Sequence, residues 1–195
     1  GRSRAFCSII YPWLKEHFAP RLDHVTEDDF YRMINKSEPS LIRTEADELT
    51  YCLHIMVRYE LEKRMFDGSL TAHDLPAEWN RLYKEYLGID VPDDRQGVLQ
   101  DSHWANGNIG YFPSYAIGSA YGAQYLQEMS KDLDVDAVVR SGDLTPINNW
   151  LEDRIWKHGC MKDPVALFES VCGKFDPACY VAYLEKKFTE VYGLS

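Results

Sequence analysis

Apolar residues recur along this chain at the three-and-four spacing of amphipathic helices, and the punctuation between them is helical too. Phe6, Ile9, Ile10, Trp13, Leu14 and His17 follow that spacing in a first segment that closes around Ala19-Pro20. Thr26-Glu27-Asp28-Asp29 reads as an N-cap followed by acidic residues suited to the positive end of a helix dipole, ahead of Phe30, Met33 and Ile34. The longest periodic stretch predicts one helix over 40–67, stopped at Gly68. Its apolar positions Ile42, Leu49, Leu53, Met56 and Leu61 cover much of the cylinder, which implies contact on more than one side. Asp74-Leu75-Pro76 opens another helix through Trp79, Leu82, Tyr83 and Leu87, ended by Gly88. Beyond Pro113 the pattern is helical again through Tyr115, Ile117, Tyr121 and Leu126, with a shorter segment over 134–140. Three further helices open at Thr145-Pro146, Asp163-Pro164 and Asp176-Pro177, placing Pro where a helix tolerates it best. Strand signals are nearly absent, and no repeat or linker divides the chain. The expectation is an all-α fold, a multi-helix bundle forming a single unit over 1–195.

Composition narrows the function classes. The 195 residues carry 21 Lys+Arg against 31 Asp+Glu, a formal net charge of −10, which argues against a nucleic-acid partner. A hydrophobic content of 45% supports a folded core, and no apolar run approaches the ~20 residues a membrane span needs. Cys7, Cys52, Cys160, Cys172 and Cys179 are odd in number, scattered and free of CxxC pairs, which reads as free thiols in a reducing, cytoplasmic compartment.

Two regions carry candidate chemistry. On the expected long helix, Arg43, Asp47, Tyr51, His54 and Arg58 follow steps of four, four, three and four, a polar row on an otherwise apolar cylinder. Such a row is costly unless its members are paired or face a wet cavity. It is either a structural ladder, with Arg43 and Asp47 as an intrahelical ion pair, or one wall of a cleft. The Gly-interrupted segment 96–114 is dense in polar and aromatic residues, with Gln100-Asp101-Ser102-His103-Trp104 followed by Tyr111 and Tyr115. Imidazole and phenol are donors able to stabilise a developing oxyanion, although Tyr111 and Tyr115, four apart, also fit one aromatic helix face. His73, Asp74 and Glu78 have metal-ligand chemistry but fit helix capping better. No HExxH, GxSxG or Gly-rich phosphate loop occurs.

Two blocks go further. Ile42-Arg43-Thr44-Glu45-Ala46-Asp47 and Gly97-Val98-Leu99-Gln100-Asp101-Ser102-His103-Trp104 resemble the I-R-x-x-A-D and G-x-x-Q-D-x-H-W motifs of the Taq-type metallocarboxypeptidases. Gly110-Tyr111-Phe112-Pro113-Ser114-Tyr115-Ala116, the opening Gly1-Arg2-Ser3-Arg4 and Glu38-Pro39-Ser40 are similar to that family as well. The resemblance implies a mostly helical, typically homodimeric enzyme that removes single residues from peptide C-termini with a zinc or cobalt ion. It further implies that this chain is the C-terminal portion and one cleft wall of such an enzyme, because the family's HExxH and following Glu ligand lie upstream of the matched residues. The partners expected are therefore a peptide with a free C-terminus and the missing N-terminal portion. The chain alone would hold no metal and be inactive. By the same resemblance, Arg43 would bind the substrate carboxylate and Tyr111 would contact substrate. Asp47 would orient Arg43 or a metal-bound imidazole, His103 and Tyr115 would donate to the oxyanion, and Gln100 and Asp101 would brace the loop. Spacing does not separate the two tyrosines. The competing expectation is a non-catalytic, acidic α-helical interaction module.

Overall fold

A computed structural model describes residues 1–194, and every regular element among them is helical. In chain order these are α1 (Arg4–His17), α2 (Glu27–Ile34), α3 (Tyr51–Phe66), α4 (Leu75–Leu87), α5 (Pro113–Met129), α6 (Val135–Ser141), α7 (Thr145–Arg154), α8 (Pro164–Cys172) and α9 (Ala178–Tyr192). Short 3₁₀ turns lie at Arg43–Glu45, Trp104–Asn106 and Trp156–His158. Most starts are where the sequence signals them. Thr26 and Asp29 form a reciprocal capping box at α2, Ser3 caps α1, and Asp134 and Asp163 cap α6 and α8. Gly88 ends α4 in the left-handed conformation at φ 73°.

One expected element needs correction. The helix predicted over 40–67 is regular only from Tyr51. Asp47 is the cause: its carboxylate accepts from the backbone N–H of Leu49 (2.9 Å) and Thr50 (3.0 Å) and from the Thr50 hydroxyl (2.8 Å). A side chain that takes up backbone N–H groups just ahead of a helix competes there with helical bonding. The same carboxylate takes the Ser37 hydroxyl and the Glu38 N–H, both at 2.9 Å, so it ties the incoming stretch of chain to the helix start. Arg43 therefore sits on a separate 3₁₀ turn, and no Arg43–Asp47 ion pair forms.

The helices gather into two compact units. One comprises Ser37–Gly118; the other joins Gly1–Lys36 to the chain from Ser119 onward. No compositional linker marks this division, because the second unit is assembled from both ends of the chain. In the Ser37–Gly118 unit, α3 packs on α4 through Val57, Leu61, Trp79, Leu82, Tyr83 and Leu87, with Val98 from the following loop. Burying one such leucine contributes ~1.5–3 kcal/mol. In the other unit, Cys7, Tyr31 and Val191 form the apolar centre joining α1, α2 and α9, and Arg4 lies over the Tyr31 ring. There Gln124 on α5 holds the α8–α9 turn, donating to the carbonyls of Cys172 and Lys174 and accepting from Asp176 N–H.

Candidate active site

The 3₁₀ turn of Arg43, the middle of α3 and the 97–115 segment converge within the Ser37–Gly118 unit. Gly97 permits the loop to fold tightly: a Cβ there would stand 2.8 Å from Val91 Cγ1 and 3.1 Å from the Asp93 carbonyl. Val98, three residues before Asp101, enters the α3–α4 core and anchors the loop. Glu62 on α3 is buried and accepts from Trp104 Nε1 (2.7 Å) and Gly110 N–H (3.1 Å), pinning the far side. Gly110 adopts φ +72°, which a side chain would resist.

At the centre, one carboxylate faces two guanidiniums. Asp101 Oδ1 accepts from Arg43 Nε (3.1 Å) and Nη2 (2.7 Å), while Asp101 Oδ2 accepts from Arg58 Nε (2.7 Å). The Arg43 and Arg58 side chains are 8% and 0% exposed, and that of Asp101 is 11% exposed. Gln100 completes the frame. Its Oε1 accepts from the Arg43 backbone N–H (2.9 Å) and Arg58 Nη2 (3.0 Å), and its Nε2 donates to the carbonyls of Leu41 (3.0 Å) and Gln96 (3.1 Å). Burial works against the charged form of Asp101. The Arg43 hydrogen bond and the charge and bond of Arg58 outweigh it and hold the carboxyl below its ordinary range. Burial likewise works against the charge of Arg43, but Asp101 and Tyr51 overcome it and push the guanidinium up.

Beside this triad lies the imidazole–phenol pair. His103 Nε2 stands 3.0 Å from the Tyr115 hydroxyl, and His103 Nδ1 is 3.9 Å from Asp101 Oδ1. The imidazole packs against Phe112 at a centroid distance of 4.4 Å, and the Arg43 guanidinium lies 5.0 Å from the Tyr115 ring centre. Tyr111 is 50% exposed, with its ring 5.4 Å from that of Tyr115 in an edge-on contact. A guanidinium, an imidazole and a phenol in one place can receive an anion and donate to developing negative charge.

The ion implied by a metallopeptidase does not fit these residues. Among the described residues, no three His, Cys, Asp or Glu side chains gather as a metal-binding group. The Glu78 carboxylate is taken by Arg64 and Arg81, and Asp74 by Thr71 and His73. His54 Nε2 is buried without a hydrogen-bond partner, but Arg58 and Arg43 stand close enough to disfavour a further cation.

A family model for the Carboxypeptidase Taq (M32) metallopeptidases matches residues 1–188. The chain belongs to that family. Carboxypeptidase 1 of Bacillus subtilis is 43% identical over 194 residues, covering 98% of this chain and 39% of that protein. Thermostable carboxypeptidase 1 of Thermus thermophilus is 43% identical over 195 residues, covering 99% of this chain and 38% of its own length. The crystal structure of an M32 carboxypeptidase from Deinococcus radiodurans R1 has a TM-score of 0.95 at 38% identity, over 100% of this chain and 40% of that one. The chain thus spans roughly two fifths of the length of these relatives.

For this M32 chain, the structure joins Arg43, Gln100, Asp101, His103 and Tyr115 directly and sets Tyr111 at their exposed edge. Asp47 stands apart, bonded to Ser37, Glu38, Leu49 and Thr50. Burial raises its carboxyl and those N–H and hydroxyl donors lower it, and the donors win. Sequence reasoning gives Tyr83 and Glu62 no part in this cluster and leaves Arg58 without a role. The Tyr83 hydroxyl donates to the Leu41 carbonyl at 3.2 Å and lies 3.1 Å from His54 Nδ1. Glu62 is one further step of four along the polar row, the one signal that points to it.

His54 supplies a pH dependence. Burial, then the charges of Arg58 and Arg43, push the imidazole down to about 4 from 6.5. Above pH 6.5 both folded and unfolded chains carry it neutral, so it contributes no slope. As pH falls below 6.5 the unfolded chain takes a proton the folded chain refuses, and stability drops until about pH 4. The expected loss from this group between pH 7 and pH 5 is about 2 kcal/mol. Urea unfolding at both pH values measures it, and His54→Phe should flatten the slope. An unchanged slope in that variant would move the titration elsewhere.

Proposed function

We propose that this chain acts within a metal-dependent carboxypeptidase that releases single residues from peptide C-termini. Arg43 anchors the substrate's free carboxylate, and the His103–Tyr115 pair donates to the oxyanion formed at the scissile carbonyl. The observation that carries the reading is the state of the Arg43 guanidinium. Its Nε and Nη2 donate to Asp101 and its Nη1 to Tyr51 (3.1 Å), which uses three of five N–H groups. The remaining two are one on Nη1 and one on Nη2, the pair of nitrogens that can take a carboxylate bidentately. Asp101 and Tyr51 hold that plane still, and Gln100 fixes the backbone that carries it, so little rotamer entropy is lost on binding. Tyr111, half exposed beside Tyr115, contacts the substrate. Asp47 acts from farther away, by fixing the turn on which Arg43 is carried.

The family's ion, zinc or cobalt by resemblance, is assigned to residues outside this chain. Carboxylate anchoring and oxyanion donation need only the side chains of Arg43, His103 and Tyr115. A homodimeric assembly and a cytoplasmic setting belong to the same proposal. The five cysteines, all free thiols, favour the latter.

Arg43→Ala in the intact enzyme tests the anchoring role. Loss of two charge-assisted hydrogen bonds should lower kcat/KM for free-carboxylate peptides about a hundredfold. Peptides whose C-terminus is amidated should change little. Equal losses on both would remove Arg43 from this role.

A further inference from the structure

We propose that Arg58 is a specificity-determining residue that sets the charge of this site: by sharing Asp101, it leaves the charge of Arg43 uncompensated for an incoming carboxylate. The inference rests on the anchoring role of Arg43 and adds to it the reason an anion is preferred there.

Arg58 never meets solvent, and it spends its donors within the protein. Its Nε and Nη2 reach Asp101 Oδ2 at 2.7 and 2.6 Å, and Nη2 also reaches Gln100 Oε1 at 3.0 Å. Its Nη1 reaches the His54 carbonyl at 2.6 Å and the Tyr83 hydroxyl at 3.4 Å. These five contacts match its five N–H groups. Its planar face lies 4.5 Å from the Trp79 ring centre and 5.3 Å from that of Phe112, so aromatic contacts fix it on the remaining sides. No edge of Arg58 is left for a ligand, whereas Arg43 keeps one.

The charges then decide what the site binds. Two guanidiniums and one carboxylate sum to +1 in a largely buried cluster. Among the other titratable groups in contact, burial keeps His54 and Tyr83 neutral near pH 7; Tyr51 and Tyr115 meet Arg43 through a hydroxyl and a ring, and His103 stands 3.9 Å from Asp101. A buried excess charge is costly until an opposite one arrives. A substrate carboxylate on the Arg43 edge completes two cations facing two anions, and an amide in the same place does not. Without Arg58, Asp101 alone would neutralise Arg43, and the sum would fall to zero with the Arg43 fork still in position. Arg43 thus provides the geometry of recognition and Arg58 the charge.

The test compares competitive inhibition of the intact enzyme by an N-acyl amino acid and by its amide. Arg58→Met is expected to cut the preference for the free acid about tenfold or more. Arg58→Lys, which keeps the charge but loses the fork, should retain most of it. The decisive variant is Arg58→Met with Asp101→Asn, which restores the +1 sum on Arg43 and should recover the preference lost in the single variant. A residue that only packed the core would leave the double variant no better than Arg58→Met, and that result would overturn the proposal. If Arg58→Met does not accumulate as folded protein, Arg58→Lys and the double variant carry the comparison, and acid preference absent from both would overturn it equally. Arg43→Ala separates the two claims. An intact acid preference there defeats the anchoring role itself. Preference lost in Arg43→Ala but untouched in Arg58→Met defeats the Arg58 proposal alone.

Discussion

Asp101→Ala is expected to lower the unfolding free energy by about 3–5 kcal/mol, the cost of leaving buried charge without its partner. The reason is the arithmetic of the triad. Asp101 is the counter-ion the structure provides to Arg43 and Arg58, whose side chains are 8% and 0% exposed. Removing it leaves two guanidiniums facing one another, with Gln100 Oε1 as a neutral acceptor for Arg58. A surface ion pair would be worth about a tenth as much, because water replaces the lost partner. Urea unfolding at pH 7 measures the change, and a loss under about 1 kcal/mol would show that water reaches the triad freely. Adding Arg58→Met should return part of the lost stability, since it removes one of the two repelling charges. The protonation of Asp101 points the same way, because against its burial the two cations hold the carboxyl below its ordinary range.

Under the proposed oxyanion role, Tyr115→Phe in the intact enzyme should give the second large effect, this time on rate. Removing one donor to a developing oxyanion costs ~2.7–4 kcal/mol of transition-state stabilisation, roughly a hundred- to thousandfold in kcat. The hydroxyl stands 3.0 Å from His103 Nε2, so the imidazole tautomer decides which way its O–H points. With hydrogen on Nε2, the imidazole donates to the phenol oxygen and the phenol O–H turns away from the ring. With hydrogen on Nδ1, the phenol O–H is drawn back to the imidazole instead. Tyr111 is exposed and meets the pair through ring contacts, which leave its hydroxyl direction unset. Tyr111→Phe should therefore change KM modestly and leave kcat close to the parent value. Comparable losses of kcat at both positions would deny Tyr115 its separate role. Single-turnover measurements keep chemistry distinct from product release.

Local rules make much of this fold legible. The caps at Ser3, Thr26, Asp134 and Asp163, and the stop at Gly88, act over three or four residues, and each lies where its helix begins or ends. The region 40–50 departs from expectation for the same reason in reverse. Its apolar spacing satisfies a helix, but Asp47 bonds both to the helix start and to Ser37 and Glu38, and periodicity does not register a side chain that competes for backbone N–H groups. Arg43 N–H then finds its acceptor 57 residues away, on Gln100. The row of Arg43, Asp47, Tyr51, His54 and Arg58 is thus a real grouping for four of its members, although an unbroken helix is not what produces it.

The order of residues by itself determined the helical class, most element boundaries, the acidic balance of the chain and, through two short motifs, the family. Those properties depend on neighbours within a turn or two, or on whole-chain sums, and both can be read along a line. Which charges meet was left to the tertiary structure. That Asp101 stands between two guanidiniums, that Asp47 does not reach Arg43, and that Tyr115 rather than Tyr111 engages His103 through its hydroxyl are each decided by how the backbone folds back on itself. Contact energies of this kind depend on distance and burial after the helices have packed, and no spacing along the backbone encodes either.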